Sequence, residues 1–166
     1  MKVDRINEFA CKIGTVNGTG SASANGLIMQ SIFRMGVPVS GKNLFPSNIQ
    51  GLPTWYEIRV NSEGHVARTP DFDLIVAMNP ETYERDIEEL APGGWLLYDL
   101  SWPMATNLQR EDVTFLGIPL AEMCLEHFEG SRTRILMKNI TYTGALAALL
   151  QIDMGVIREL LEETFG

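Results

Sequence analysis

A glycine-rich segment between a short apolar run and an amphipathic run most constrains how this chain can fold. The segment is GTVNGTGSASANG, residues 14–26, and an apolar run at residues 9–13 precedes it. From Ser21 onwards, apolar residues recur at helical spacing. We therefore predict a buried strand, a glycine loop and a helix whose start is capped by Ser21 or Ser23. Lys12 is an unexpected charge within the predicted strand.

Strand and helix patterns alternate along the rest of the chain. A hairpin partner is predicted at 65–68 and a turn at 92–94, and helices are predicted after Asn79, over 119–128 and over 141–165. Strand character is found at residues 37–44, 55–60, 74–78, 95–98 and 114–116. The pattern predicts one α/β domain, residues 1–166, with a mostly parallel sheet, helices on both faces and a helical C-terminal part.

Composition narrows the classes of ligand and partner. The 166 residues are 45% hydrophobic, enough for one compact core. Thirteen Lys and Arg against 21 Asp and Glu give a net charge of -8, which disfavours nucleic acid and anionic membranes as partners. The polar N-terminus, the absence of a long apolar stretch and the two isolated cysteines, Cys11 and Cys124, predict a cytoplasmic protein.

The glycine loop departs from the two common nucleotide-binding motifs. Counting from Gly18 and Gly20, the third glycine of the dinucleotide fingerprint falls on Ser23, and residues 39–43 offer no ribose-binding carboxylate. The lysine of an ATP- or GTP-binding phosphate loop is also missing. Two interpretations stay open: the loop binds a phosphate at the helix start, or it is a tight turn that binds nothing.

The sequence contains no recognisable catalytic constellation. His65 and His127 are isolated and have no metal-ligand spacing. The carboxylate pairs Glu88-Glu89 and Glu162-Glu163 lie in polar helical patterns typical of solvated faces. This absence favours a binding module or a subunit whose chemistry is carried out elsewhere.

The segment KNLFPSNIQGLPTWY, residues 42–56, has the most unusual composition. It combines the large apolar or aromatic residue types Phe, Leu, Ile, Trp and Tyr with Ser, Asn and Gln, and two prolines restrict its backbone. Such a segment predicts an ordered interaction surface. The alternative is a loop packed over the sheet edge, with Trp55 and Tyr56 starting the next strand.

Four segments together resemble the gamma domain of 2-oxoacid:acceptor (ferredoxin) oxidoreductases of the 2-oxoglutarate type. In that type the domain is commonly fused to the N-terminus of the alpha subunit. The resemblance covers nearly the whole chain, and the FPSNIQGLPTWY stretch within the second segment is its most specific part. The segments are NGTGSASAN at 17–25, FRMGVPVSGKNLFPSNIQGLPTWYEIRV at 33–60, PGGWLLYD at 92–99 and KNITYTGALA at 138–147.

The resemblance implies a Rossmann-like fold and a place in a multi-subunit enzyme. Such enzymes decarboxylate a 2-oxoacid on thiamine diphosphate with Mg²⁺, pass electrons through iron–sulfur clusters to ferredoxin and release an acyl-coenzyme A. The thiamine and cluster sites would lie on the alpha and beta domains or subunits. This domain would help to bind and admit coenzyme A, and it would be inactive alone. Whether the chain is a natural subunit or the leading piece of a fused alpha subunit stays open.

The resemblance also assigns roles to the glycine loop. Gly18, Thr19, Gly20 and Ser21 would offer amides and hydroxyls to a phosphate of coenzyme A. Asn25 would bind the same ligand or anchor the loop.

Two later segments would complete the coenzyme A site. Ser47, Asn48 and Gln50 would line the cleft or a partner interface, and Lys138 and Asn139, placed just before a predicted helix, would add a positive charge and an amide. Structural roles are the alternatives for all of these residues: helix capping, hydrogen bonding within a loop, and an exposed charge.

Two other functions compete with this interpretation. One is a stand-alone α/β protein that binds a small molecule or nucleotide such as a flavin or nicotinamide. The other is a scaffold domain that binds no ligand and holds a complex together.

Overall fold

A six-stranded sheet forms the centre of the computed structural model, which describes residues 7–165. Along the sheet the strand order is β2-β3-β1-β4-β5-β6. β3 runs antiparallel to β1 and β2, and the other neighbouring pairs are parallel. The strands are β1 (Glu8–Val16), β2 (Val39–Leu44), β3 (Pro53–Asn61), β4 (Phe72–Ala77), β5 (Leu90–Asp99) and β6 (Thr114–Ile118).

Helices cover both faces of this sheet. The helices are α1 (Ser21–Arg34), α2 (Tyr83–Glu88), α3 (Leu120–His127), α4 (Ser131–Leu149) and α5 (Met154–Phe165), with short 3-10 turns at Pro80–Thr82 and Thr106–Leu108. Successive side chains of a strand point to opposite faces. Thus Leu74 and Val76 pack into the core beneath α1, α3, α4 and α5, whereas Ile75 and Ala77 pack into a smaller core beneath α2. The predicted α/β fold is confirmed.

None of the helices within residues 7–165 has the length and apolar character needed to cross a membrane.

Three predictions about the bounds of strands, turns and helices were wrong. Residues 65–68 form no strand, because the two antiparallel neighbours of β3 are β1 and β2. The expected turn at 92–94 lies inside β5, where the pairing with β4 shifts register and Gly93 has φ +81. The expected helix over 141–165 is two helices, since α4 already begins at Ser131 and ends before Gln151, whose φ is positive.

The early start of α4 was missed because its first turns lack an apolar stripe. Ser131, Arg132 and Thr133 are polar and exposed, so they form no helical hydrophobic pattern.

The turn between α4 and α5 is stabilised locally by Asp153. Asp153 Oδ1 accepts a hydrogen bond from Gly155 N at 2.7 Å.

Lys12 is buried on the α2 face of the sheet, with 1% of its surface exposed. Its ammonium forms an ion pair with Glu89 and lies 5.1 Å from the ring centroid of Trp55 and 5.5 Å from that of Phe72. Glu89 also accepts a hydrogen bond from Arg85 at 3.0 Å. The charge in the central strand is therefore neutralised locally, and Glu89 is not merely part of a solvated face.

Trp55 links the same cluster to α2. Its Nε1 donates to Asp86 Oδ1 at 2.8 Å, and the Thr82 hydroxyl donates to Asp86 Oδ2 at 2.7 Å. Burial raises the pKa of Asp86 and outweighs the hydrogen bonds from Thr82 and Trp55. The pKa of Glu89, in contrast, is lowered overall. Burial acts to raise it, but the hydrogen bonds from Lys12 and Arg85 outweigh this effect. Polar contacts as well as apolar packing thus attach α2 to the sheet.

We predict that Lys12→Ala lowers the free energy of unfolding by about 3 kcal/mol, because it leaves a cavity and deprives Glu89 of its ammonium partner. Lys12→Met keeps most of the volume, and Arg85 still pairs with Glu89, so the loss should be smaller by at least about 1 kcal/mol. Urea denaturation at neutral pH measures both values. Equal losses in the two variants would show that packing around the Lys12 stem contributes nothing.

Candidate ligand site at the carboxyl edge of the sheet

The glycine loop lies where the chain connections diverge at the carboxyl edge of the sheet. β1 is followed by α1 on one face, and the neighbouring parallel strand β4 is followed by α2 on the other. Met78 N donates to Gly14 O at 2.9 Å, which extends the pairing to the edge. In open α/β sheets, ligands bind in the crevice at such a topological switch point. The fold therefore places the loop at a favoured ligand position.

The start of α1 carries no side-chain cap. Gly20 occupies the N-cap position with φ +80, and no acidic residue lies in the first turn. The predicted capping by Ser21 or Ser23 was wrong: Ser21 is buried, and its Oγ lies 2.9 Å from Thr15 Oγ1. The first amides of a helix have no intrahelical acceptor, so they suit an anion here. The loop needs glycine at this N-cap because an L side chain is strained in the left-handed region.

The segment between β2 and β3 packs against the glycine loop. Asn17 N donates to Leu52 O at 2.8 Å, and Gly51 N donates to Asn17 O at 3.0 Å. The Asn17 side chain donates to Ile49 O at 3.1 Å. A Cβ added to Gly18 would lie 2.9 Å from Gln50 Cγ, so Gln50 covers this glycine. The two segments that the sequence singled out are neighbours in space.

Ser47 and Asn48 are the other two residues of this segment that the resemblance assigned to the site. The Ser47 hydroxyl accepts from Ile49 N at 3.2 Å, while its carbonyl faces the Asn17 amide at 3.4 Å. Asn48 is exposed. Trp55 and Tyr56 are buried within β3, as the alternative interpretation of residues 42–56 expected.

α4 contacts the glycine loop from the other side. Asn139 is buried, and its Nδ2 donates to Thr19 O at 2.8 Å. The Thr19 hydroxyl in turn donates to Val16 O at 2.7 Å. Lys138 and Asn139 lie in the middle of α4 and not, as predicted, just before a helix, because α4 starts earlier. Packing of α4 against α1 nevertheless brings both residues to this edge.

Asn25 joins α1 to α4. Its Oδ1 accepts a hydrogen bond from the Tyr142 hydroxyl at 2.8 Å, and both side chains are buried. Burial raises the pKa of Tyr142 well above its usual range, so it donates as a neutral phenol. The geometry places Asn25 as a helix-to-helix anchor beneath the loop.

Asp99 ends β5 at the same edge and is fully buried. Its Oδ1 accepts from Ser101 N at 3.2 Å and from Ala121 N at 3.3 Å, the latter at the start of α3. Lys138 Nζ lies 3.5 Å from Asp99 Oδ2. The Lys138 charge is therefore shared with Asp99, although about a fifth of the lysine side chain, 22%, remains exposed.

Three buried side-chain atoms near this edge have no hydrogen-bond partner among the described residues: Asn79 Nδ2, Tyr83 Oη and Asp99 Oδ2. Buried polar atoms are normally satisfied, so Asn79 Nδ2 and Tyr83 Oη have unused capacity to bond an ordered water or a ligand, whereas Asp99 Oδ2 already faces the Lys138 ammonium at 3.5 Å. Burial and the nearby Asp99 carboxylate raise the pKa of Tyr83 above its usual range.

Sequence reasoning did not select Asn17, Asn79 or Asp99. Their shared signal is a polar residue at the end of an apolar strand run, the position that faces the ligand crevice in such sheets.

Within the described residues, no group of three or more His, Cys, Asp or Glu side chains could hold a metal ion. Cys11 and Cys124 are buried free thiols. Burial, with a smaller effect from Asp73, raises the pKa of the Cys11 thiol above its usual range, which makes it a poor nucleophile.

We predict that Gly18→Ala lowers the free energy of unfolding by about 1–2 kcal/mol, because an alanine at φ +85 is strained and its Cβ meets Gln50. Gly144→Ala is the matched control. Gly144 is exposed within α4 with no atom within 4 Å of an added Cβ, so this substitution should stabilise the chain by about 0.5–1 kcal/mol. Chemical denaturation measures both, and a stabilising Gly18→Ala would contradict the required loop conformation.

Comparison with known proteins gives the family. A family model described as pyruvate ferredoxin/flavodoxin oxidoreductase matches residues 10–166. The chain is 30% identical over 87 residues to the alpha subunit of 2-oxoacid:ferredoxin oxidoreductase 2 from Aeropyrum pernix. That match spans 52% of this chain and 14% of the relative, so the chain corresponds to a small part of the relative's length.

Solved structures have the same fold. A 2-oxoglutarate:ferredoxin oxidoreductase from Magnetococcus marinus, with 2-oxoglutarate, coenzyme A and succinyl-CoA bound, is 26% identical with a TM-score of 0.85 over 98% of this chain and 28% of that one. A pyruvate oxidoreductase subunit from Thermotoga maritima is 17% identical, with a TM-score of 0.73 over 97% of this chain and 87% of that one. A keto/oxoacid ferredoxin oxidoreductase gamma subunit from Geobacter sulfurreducens is 15% identical, with a TM-score of 0.73 over 95% and 87%.

The latter two likenesses concern the fold alone. The family model, in contrast, spans nearly the whole sequence, glycine loop and α4 included. This chain therefore belongs to the pyruvate ferredoxin/flavodoxin oxidoreductase family.

Proposed function

We propose that residues 1–166 are the gamma domain of a 2-oxoacid:ferredoxin oxidoreductase and that they contribute to coenzyme A binding and to assembly of the enzyme. The observation that carries the proposal is the uncapped start of α1 at the topological switch point, enclosed by Gln50 on one side and Asn139 on the other. The Magnetococcus relative supports both coenzyme A as the ligand and 2-oxoglutarate as the oxoacid, since its structure contains them.

The residues at this edge fit a phosphate-bearing ligand. The first turn of α1 offers backbone amides and contains no acidic side chain that would repel an anion. Lys138 supplies a partly exposed positive charge nearby, although the buried carboxylate of Asp99 shares it. In a chain of net charge -8, an anion has to be held by such local groups.

Each group then has a defined task. The amides from Gly18 to Ser21 hold the phosphate, Lys138 balances its charge, and Asn139 fixes the loop through the Thr19 carbonyl. When bound, coenzyme A supplies the thiol that accepts the acyl group. This chain positions and admits that ligand, while thiamine diphosphate with Mg²⁺ and the iron–sulfur clusters are carried by the alpha and beta domains or subunits, and ferredoxin takes the electrons from the assembled complex.

The assembly surface includes the exposed part of the segment between β2 and β3. Phe45, Ile49 and Leu52 expose 51%, 64% and 39% of their surfaces. Neighbouring exposed apolar side chains of this size mark a partner surface. We assign this surface to the alpha or beta portion of the enzyme, in the cytoplasm. The acidic charge argues against nucleic acid or an anionic membrane as a partner.

Affinity purification of the tagged chain from its native cells tests the proposal. We expect thiamine- and cluster-bearing proteins to be recovered with it, together with coenzyme A-dependent oxidation of 2-oxoglutarate that exceeds oxidation of pyruvate. Mass spectrometry and a ferredoxin-coupled assay measure the two results. Recovery of the chain alone with a tightly bound flavin or nicotinamide would instead identify a stand-alone nucleotide-binding protein.

In the assembled enzyme, we predict that Lys138→Gln raises the KM for coenzyme A about three- to tenfold, because one charge near the phosphate is lost. The KM for 2-oxoglutarate should stay unchanged. Arg158→Gln removes the same charge from an exposed position on α5 and serves as the control. Loss of thermal stability with an unchanged KM for coenzyme A would mean that Lys138 serves only to pair with Asp99. A raised KM would be incompatible with a pure scaffold.

A further inference from the structure

We propose that Asn17 is a positioning residue that couples the glycine loop to residues 45–52, so that a ligand bound at the glycine loop also orders this partner-facing segment. The inference rests on the proposed coenzyme A site. It adds a residue and a regulatory link to that site: the ligand and the assembly surface influence each other through Asn17, assisted by the contact of Gln50 with Gly18.

Asn17 holds the segment by its main chain and its side chain together. The main chain exchanges two hydrogen bonds with the far end, at Leu52 O (2.8 Å) and Gly51 N (3.0 Å). The side-chain amide donates to the carbonyls of Ile49 at 3.1 Å and Ser47 at 3.4 Å. One residue thereby contacts the segment at four places between β2 and β3.

The segment has few other hydrogen bonds of its own. Within residues 45–52, which all belong to the described part of the chain, Ile49 N donates to Ser47 Oγ at 3.2 Å, and this is the one hydrogen bond that joins two residues of the segment. Thr54 Oγ1 donates to Leu44 O at 3.0 Å, but this bond joins the strand ends below the segment. A loop with exposed apolar side chains and few internal bonds has low local stability. Its order therefore depends strongly on Asn17.

The glycine loop is fixed on its other side by α4. Asn139 holds the Thr19 carbonyl at 2.8 Å, two residues beyond Asn17. Of the amides that would contact a phosphate, those of Gly18 and Thr19 thus lie between two attachment points, Asn17 on the 45–52 segment and the Thr19 carbonyl on α4, and those of Gly20 and Ser21 follow directly. A ligand that immobilises these peptides also immobilises the backbone of Asn17, whose groups hold the 45–52 segment.

Gln50 gives the two segments a shared wall. Its Cγ lies 2.9 Å from the position of a Cβ on Gly18, so a ligand that reaches Gly18 contacts or displaces this side chain. Binding at one segment and order in the other are then linked, and the linkage is reciprocal: an ordered segment binds the ligand more tightly. The exposed Phe45, Ile49 and Leu52 side chains become a defined surface only when the segment is ordered.

Hydrogen–deuterium exchange of the assembled enzyme, with and without coenzyme A, tests the coupling. The peptide over residues 47–52 is the reporter, because the Gly51 amide bonds directly to Asn17. In the wild type, we expect coenzyme A to slow exchange both at 18–23 and at 47–52. Asn17→Ala removes the side-chain donor. Asn17 is not among the described non-glycine residues with positive φ, which are Asn7 and Gln151, so alanine fits its backbone conformation.

In Asn17→Ala we expect the slowing at 47–52 to fall by at least about half and the KM for coenzyme A to rise about fivefold, with kcat at saturating coenzyme A retained. Asn17→Asp has the same size but places negative oxygens against the carbonyls of Ser47 and Ile49, so the slowing at 47–52 should disappear. Asn107→Ala, at an exposed position in the turn Thr106–Leu108, is the matched control and should behave as the wild type.

The outcomes separate this inference from the proposed function. Slowing at 18–23 without slowing at 47–52 in the wild type overturns the coupling and leaves the coenzyme A site intact. Slowing at both segments that persists unchanged in Asn17→Ala and Asn17→Asp overturns the role of Asn17. No slowing at either segment of the active wild-type enzyme overturns the coenzyme A site itself. Should Asn17→Asp fail to fold, the wild-type and Asn17→Ala measurements still decide.

Discussion

The central position of β1 is the constraint on which the rest of the structure depends. β1 pairs with β3 on one side and with β4 on the other, and helices cover both of its faces. A strand in this position has to be apolar on both faces or to neutralise any charge that it carries. On one face Cys11 and Ile13 are apolar, and on the other the contacts of Lys12 with Glu89, Trp55 and Phe72 neutralise its charge.

The same strand determines where a ligand can bind. Because β1 and β4 are parallel, their carboxyl ends open at one edge, and the chain leaves them towards opposite faces of the sheet. In open α/β sheets, such a divergence is the position at which ligands bind, and the glycine loop lies there. The Lys12 cluster lies on the α2 face, away from α1, and it attaches α2 through Trp55 and Asp86. The buried ammonium of Lys12 therefore helps to attach α2 to the sheet and is not a ligand-binding group.

The arrangement fits a domain whose chemistry is completed by others. The edge offers amides, one shared lysine and several asparagines, groups that bind and orient a polar ligand. The exposed apolar residues lie on the segment that Asn17 joins to this edge. A ligand site and a partner surface that share a residue suit a subunit that must admit a coenzyme only within an assembly, as the family membership leads us to propose.

The sequence by itself determined the order of the elements and the family. The apolar run before Gly14, the helical spacing after Ser21 and the strand at 74–78 were sufficient because each reports the burial of one element, which a local pattern records. Local patterns failed where the sequence shows no periodic alternation of apolar and polar residues. The exposed first turns of α4 and the register shift inside β5 were missed for this reason.

Only the tertiary structure decided which polar groups meet at the edge. Asn139 is 120 residues from Thr19 in the chain. Lys138, in α4, lies 3.5 Å from the carboxylate of Asp99, at the end of β5. No local periodicity encodes such pairs, because they follow from the packing of α4 against α1 and of the 45–52 segment against Asn17. The sequence identified the segments that meet at this edge, and their three-dimensional packing selected the partners of each side chain.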